Sequence, residues 1–182
     1  ITGIEERRYV KKSMVNSEIG YYAAKKAIEN ANINPEHIDY IIVAHNYGDV
    51  KHDTEQSDTV PSIASRIKHL LKIKNHKCVA YDILFGCPGW IEGVIQGQAF
   101  IKAGMAKRCM IVGTETLSRV IDPHDRDSMI YSDGAAAVII EETTNEGGIL
   151  AHETGTYALD EAHFIYFGET KHPDRNDHRT DS

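Results

Sequence analysis

Apolar and polar residues follow one another in blocks that predict helices and buried strands in turn. An Ala-rich stretch over 17–31 predicts a helix, for which Asn16 and Ser17 supply candidate N-cap oxygens. The continuous apolar run over 40–44 predicts a strand that is covered on both faces. Pro61 opens a second predicted helix, because apolar residues recur after it at helical spacing. These apolar positions are Ile63, Ile67, Leu70 and Leu71.

The second part of the chain continues the alternation. A turn at 84–86 separates a predicted strand from a third predicted helix, which begins at Cys87 and ends near residue 103. Strands are predicted over 78–83, 108–113, 135–140 and 149–152. The order of elements predicts an α/β fold with a layered, mostly parallel mixed sheet that is covered by helices. The last strands are expected to add to this sheet in the antiparallel direction.

One connection in this pattern is unusually long. Residues 45–59, between the first strand and the second helix, are mostly polar and show no clear periodicity. Because long ordered loops are often functional, this segment is a candidate for a role at the site.

Composition excludes several classes of protein. The chain has 182 residues, of which 41% are hydrophobic, and a net charge of −7. This balance is typical of a globular domain and gives no general reason to bind nucleic acid or a membrane. No run reaches the ~18 apolar residues that a membrane span needs. The chain starts without Met and ends in a polar tail, so we expect a fragment of a longer polypeptide.

The cysteines and histidines give no sign of a disulfide framework or of a metal site. The three cysteines are an odd number and include no C-x-x-C pair, which favours a reducing, cytoplasmic location. His172 and His178 lie in the polar tail, where no spacing fixes a metal geometry, so we predict a solvated loop and no metal.

Cys87 is the strongest candidate for chemistry because it lies where a buried strand turns into a helix. Pro88 suits the first helical position, where its missing N–H has no intrahelical partner. Backbone N–H groups at a helix start favour the thiolate and can hold an oxyanion, while Gly86 and Gly89 leave room for a substrate. A buried structural cysteine is the alternative for Cys87. It is the expected state of Cys78 and Cys109, which lie inside predicted strands.

Two glycines on the third helix point to tight packing. Gly93 and Gly97 are four residues apart and lie on one helix face. Since Gly costs about 1 kcal/mol against Ala in a helix interior, the pair predicts the close approach of another helix backbone.

Six segments resemble, in the correct order, landmarks of the beta-ketoacyl-acyl-carrier-protein synthase III family, whose members are thiolase-like condensing enzymes. They are TGIEERR at 2–8, Pro61-Ser62 before an apolar helix, DILFGCPGW at 82–90, GTETLSR at 113–119, DPHDR at 122–126 and SDGAA at 132–136. The resemblance covers nearly the whole chain.

This resemblance implies a thiolase-like fold of two similar halves. Residues 1–182 would form the N-terminal domain, without its initial strand and without the C-terminal half. Such enzymes accept an acyl group from acyl-coenzyme A on a cysteine and condense it with malonyl-acyl-carrier protein, releasing carbon dioxide. The reaction initiates fatty acid or related polyketide synthesis, with acyl-coenzyme A as a substrate and no further cofactor.

The resemblance also assigns roles and partners. Cys87 would be the acyl acceptor, and Arg126 matches an arginine that contacts coenzyme A. Val60 matches a position that enters the acyl pocket of the neighbouring subunit. A homodimer is implied, joined partly through the strand at 108–113, together with an acyl carrier protein as partner.

Departures from the family pattern keep alternatives open. No segment matches the catalytic His and Asn motifs of the second half, so the chain alone is expected to be acylated without turning over. Pro88 replaces a small residue, and the 45–59 loop is longer than usual, which suggests an unusual starter acyl group. The alternatives are a hydroxymethylglutaryl-coenzyme A synthase-like or polyketide starter enzyme, and a non-catalytic thiolase-fold binding module.

Overall fold

The computed structural model describes residues 2–54, 56–165, 167 and 171. The helices are α1 (Asn16–Ala31), α2 (Ile63–Leu70) and α3 (Gly89–Lys102). The strands are β1 (Tyr40–Ala44), β2 (Asp49–Val50), β3 (Ser57–Asp58), β4 (Val79–Ile83), β5 (Arg108–Glu115) and β6 (Gly134–Glu141). Short 3₁₀ turns lie at Pro35–His37, Leu117–Arg119 and Arg126–Ile130.

The main sheet confirms the predicted α/β class. Its order is β4-β1-β5-β6, in which β1 runs parallel to β4 and β5 while β6 is antiparallel to β5. The predicted loop at 45–59 contains an antiparallel pair of short strands, β2 and β3. The long connection is therefore partly structured.

Helices cover both faces of the sheet, as the continuous apolar strands predict. On one face, α1 and α2 pack against the side of β1 and β5 that carries Val43 and Met110. On the other face, Trp90 and Val94 of α3 pack against Ile111. Burial of β1 between two helical layers explains why its sequence is almost entirely apolar.

The starts of α1 and α2 differ from the prediction. The N-cap of α1 is Val15, whose backbone N–H donates to Glu18 Oε2 at 2.9 Å. Asn16 and Ser17 are inside the helix and buried, and their side chains bond to Thr114 and Asp49 instead. Contacts with distant residues therefore determine the hydrogen bonds of the Asn16 and Ser17 side chains. Helix α2 begins at Ile63, two residues after Pro61. Its N-cap is Ser62, whose hydroxyl accepts the N–H of Ser65.

The strand predicted at 149–152 is wrong. Among the described residues, no strand follows β6, and Leu150 is 93% exposed. An apolar run becomes a strand only beside a strand with unpaired backbone groups, and no described strand lies alongside it.

The glycines of α3 confirm close packing but correct its partner. A Cβ on Gly93 would lie 3.0 Å from Ile111 Cγ2, and one on Gly97 would lie 2.9 Å from Ile140 Cδ1. Both contacts are side chains of the sheet, not the backbone of another helix. The glycines therefore let α3 lie unusually close to β5 and β6.

The strand expected to join two subunits is in the interior of the sheet. The edges of β5 are paired with β1 on one side and with β6 on the other. Because its backbone groups are already bonded, β5 has no free edge for pairing with a strand of a partner. Its expected part in joining two subunits stays a prediction. The tail containing His172 and His178 lies outside the described residues. None of the helices in the described part of the chain has the length and apolarity that crossing a bilayer requires.

Candidate active site

The parallel strands end together at one edge of the sheet, and the candidate site forms there. In register, Ala44 of β1 lies between Ile83 of β4 and Gly113 of β5. The residues that follow each strand therefore meet in space. They are His45 and Asn46 after β1, the 84–87 turn after β4, and the last residues of β5.

A tight turn presents Cys87 ahead of α3. Gly86 has φ of +67°, which favours glycine, and its carbonyl accepts the Gly89 N–H at 3.1 Å. Pro88 is the N-cap of α3, so the helix begins at Gly89, two residues later than predicted. Cys87 is exposed just before the cap, beside the positive end of the helix. The structure thus excludes the buried alternative for this thiol.

The other two cysteines are buried, as the sequence predicts. Burial raises the pKa of the Cys78 thiol, and it raises the pKa of Cys109 to about 12. Both groups are therefore protonated at neutral pH and closed to reagents. Cys87 is the accessible thiol of the chain.

A hydrogen-bonded chain connects β5 to the Cys87 turn. The backbone N–H and the side-chain Nδ2 of Asn46 donate to Glu115 Oε2 at 2.6 and 3.0 Å. The Gly86 N–H donates to Asn46 Oδ1 at 3.2 Å. Burial raises the pKa of Glu115, although the hydrogen bonds from Asn46 oppose this change. The roles of Asn46 and Glu115 could not be predicted from the sequence, because no spacing links positions 46, 86 and 115.

A buried His–Asp pair lies at the same edge and links the ends of β1 and β4. His45 Nε2 lies 2.9 Å from Asp82 Oδ2, and the side chain of His45 is 1% exposed. Because His45 Nδ1 accepts the Gly48 N–H at 3.0 Å, the proton lies on Nε2 and is donated to Asp82. The carboxylate of Asp82 also accepts the N–H groups of Ile63 and Ala64 at the start of α2. Asp82 therefore fastens β4 to both β1 and α2.

The remaining predicted site residues are at the surface. Arg126 begins a 3₁₀ turn, has a side chain that is 92% exposed, and lies 3.8 Å from Asp127 Oδ1. Val60 precedes α2 and is 84% exposed. Their expected roles toward coenzyme A and a neighbouring subunit stay predictions. Within residues 2–54, 56–165, 167 and 171, no group of three or more His, Cys, Asp or Glu side chains is placed to hold a metal ion.

Comparison with known proteins shows which family this chain resembles. A profile of 3-oxoacyl-[acyl-carrier-protein (ACP)] synthase III matches residues 81–158, which include Cys87. The beta-ketoacyl-[acyl-carrier-protein] synthase III 1 of Vibrio vulnificus is 37% identical over 152 residues, covering 83% of this chain and 45% of that protein. The synthase III of Bacillus pumilus is 35% identical over 172 residues, covering 94% of this chain and 52% of that protein.

A solved structure supports the same relationship. The 3-oxoacyl-[acyl-carrier-protein] synthase III of Aquifex aeolicus superposes with a TM-score of 0.68 and 33% identity, over 80% of this chain and 44% of that one. The thiolase-like fold is therefore confirmed. The chain spans about half the length of the curated relatives it matches. By sequence and by fold, the chain is similar to members of the beta-ketoacyl-acyl-carrier-protein synthase III family.

Proposed function

We propose that the protein carrying this chain is an acyltransferase in which Cys87 accepts an acyl group from acyl-coenzyme A. The acyl group then condenses with malonyl-acyl-carrier protein and so initiates fatty acid or related polyketide synthesis. One observation carries the proposal. The accessible thiol of the chain lies at a strand-to-helix corner, within the segment that matches the synthase III profile.

The acylation step follows from this position. The Cys87 thiolate attacks the thioester carbonyl, and the new S–C bond forms as the bond to the coenzyme A sulfur breaks. The developing oxyanion is stabilised by backbone N–H groups at the start of α3. Coenzyme A leaves as its thiolate and takes a proton from water, so charge and atoms balance.

The condensation step needs groups beyond this chain. We propose that residues 1–182 are the N-terminal half and that the rest of the polypeptide supplies the residues that assist decarboxylation. In this proposal Arg126 contacts coenzyme A, and Val60 enters the acyl pocket of a second subunit in a homodimer. Acyl carrier protein is the other partner, and the cytoplasm is the location.

Covalent labelling tests the acyl acceptor. With radioactive acyl-coenzyme A and the polypeptide at its natural length, we expect one label per chain and none after Cys87→Ser. The matched controls Cys78→Ser and Cys109→Ser should keep the label, since both thiols are buried. Label retained after Cys87→Ser would show that the acyl group is carried elsewhere.

The second substrate separates the proposed reaction from its sibling. A synthase III consumes malonyl-acyl-carrier protein, whereas a hydroxymethylglutaryl-coenzyme A synthase consumes acetoacetyl-coenzyme A. When the labelled protein is given malonyl-acyl-carrier protein, we expect the malonyl group to lose carbon dioxide and the acyl group to leave Cys87, whereas acetoacetyl-coenzyme A should give no reaction. Discharge of the acyl group by acetoacetyl-coenzyme A would reverse the assignment.

A further inference from the structure

Glu115 is the last residue of β5, and its carboxylate is unusual because one of its oxygens is shielded from solvent. It is half-buried, and its Oε1 atom is shielded from solvent without a hydrogen-bond partner among the described residues. A buried carboxylate with one unsatisfied oxygen lowers stability, so its retention calls for a compensating role. Its other oxygen, Oε2, accepts two hydrogen bonds from Asn46.

This contact fixes the orientation of the Asn46 amide. Asn46 Nδ2 must face Glu115 because a carboxylate accepts hydrogen bonds, so Oδ1 points to the opposite side. There it accepts the N–H of Gly86, the residue before Cys87. A rotated amide would present an NH₂ group to the Gly86 N–H, and two donors repel each other. Glu115 thus determines whether the Cys87 turn has an acceptor.

Few other hydrogen bonds hold the turn at residues 84–88 to the rest of the described structure. Residues 84–88 are all exposed, and the Gly89 N–H to Gly86 carbonyl bond is internal to the turn. The Asn46 amide ties this turn to the strand layer from the side of β1. A shift of about 1 Å at a nucleophile is enough to slow a reaction about 100-fold, so a weak fastening here has a kinetic consequence.

We propose that Glu115 is a positioning residue for acyl transfer, which acts through Asn46 to hold the Gly86 turn and the Cys87 sulfur at the start of α3. This role rests on the proposed acyl transfer at Cys87. Glu115 does not touch the reacting atoms. The proposed role requires a hydrogen-bond acceptor at the position of Glu115 Oε2, because this acceptor orients the side-chain amide of Asn46.

Asp39 provides a matched control at the opposite edge of the sheet. Its Oδ2 atom also accepts two N–H groups, those of Lys107 and Arg108, at 2.7 and 3.0 Å. It precedes β1, whereas Cys87 follows the carboxyl end of β4. Asp39→Ala therefore removes a similar carboxylate contact without touching the Cys87 turn.

The experiment compares Glu115→Ala, Glu115→Gln, Asn46→Ala and Asp39→Ala in the polypeptide at its natural length. The first readout is single-turnover acylation of Cys87 against acyl-coenzyme A concentration, which separates the maximal rate from half-saturation. The second readout is hydrogen exchange of the Gly86 amide by NMR, which does not depend on acylation. Circular dichroism establishes that each variant is folded.

We expect Glu115→Ala and Asn46→Ala to lower the maximal rate about tenfold or more, with half-saturation changed less than about twofold. Protection of the Gly86 amide should fall about fivefold in both. Glu115→Gln should restore both readouts because its side-chain oxygen accepts the same two N–H groups. Asp39→Ala should leave both readouts at the level of the unsubstituted protein.

The outcomes that overturn the proposal are distinct. Unchanged Gly86 exchange and acylation in Glu115→Ala would remove the positioning role, and so would a Glu115→Gln protein as slow as Glu115→Ala. If Glu115→Ala does not fold, Asn46→Ala decides by the same criteria. A complete lack of acyl label on the unsubstituted protein would instead overturn the proposed function itself.

Discussion

Gly97→Ala tests whether α3 really lies as close to the sheet as the structure places it. In an open helix the substitution would stabilise the protein by about 1 kcal/mol, because Ala has the higher helix propensity. Here the new Cβ would lie 2.9 Å from Ile140 Cδ1 and 3.2 Å from Cys109 Cβ. The second atom is fixed to the backbone of β5, so α3 itself has to move.

The net effect follows from two opposing terms. Overpacking of a core costs about 1–3 kcal/mol, which exceeds the propensity gain by about 1 kcal/mol on average. We therefore expect the free energy of unfolding in urea to fall. Ile140→Val removes the nearest atom and costs about 1 kcal/mol alone. The double variant should be about 1 kcal/mol more stable than the sum of the two single changes predicts.

Ala99→Gly is the control, since Ala99 is an exposed residue of the same helix. It measures helix propensity without a sheet contact and should cost about 1 kcal/mol. A Gly97→Ala protein that is more stable than the unsubstituted one would refute the close approach. Additive single and double variants would show that Ile140 is not the opposing atom.

Two further predictions concern carboxylates that accept backbone N–H groups. Asp82→Ala should lower the free energy of unfolding in urea by about 3 kcal/mol or more, because three donors are left unsatisfied. Ser62→Ala, which loses one cap bond of the same helix, should cost only about 1 kcal/mol, and equal costs would contradict this reading. The pKa of Glu36 lies below its ordinary value of 4.5, mainly because the backbone N–H groups of Lys74 and Asn75 donate to it. A lowered pKa gives stability that is present above pH 4.5 and is lost as the pH falls through the folded-state value. The difference in melting temperature between the protein and Glu36→Gln should therefore vanish in acid, and a difference that persists there would refute the ionised contact.

Local signals were enough for most of the architecture. Strands β1 and β5 were found because strands buried on both faces have continuous apolar sequences, and the mostly apolar sequences of β4 and β6 were enough although these strands are only partly buried. The same signal misled at 149–152, where the sequence is apolar but no described strand lies beside it. Helix α1 was placed correctly, but its cap was not, since Asn16 and Ser17 are used by Thr114 and Asp49 from distant parts of the chain.

At the site, the position of Cys87 could be predicted from a strand-to-helix corner between glycines, and its motif showed the resemblance to the synthase III family. Its surroundings could not be read in the same way. Asn46 and Glu115 follow different strands, and the pairing of β1 with β4 and β5 brings them beside Gly86.

The sequence by itself determined the α/β class, the corner that bears the thiol and the family that the chain resembles. These depend on residues that are neighbours along the chain or repeat at a fixed spacing. The tertiary structure alone decided that Cys87 is accessible while Cys78 and Cys109 are not, that β5 is interior, and that Asn46 is hydrogen-bonded to both Glu115 and Gly86. Each of these depends on contacts between residues that are far apart in sequence, and such contacts exist only after the strands have paired.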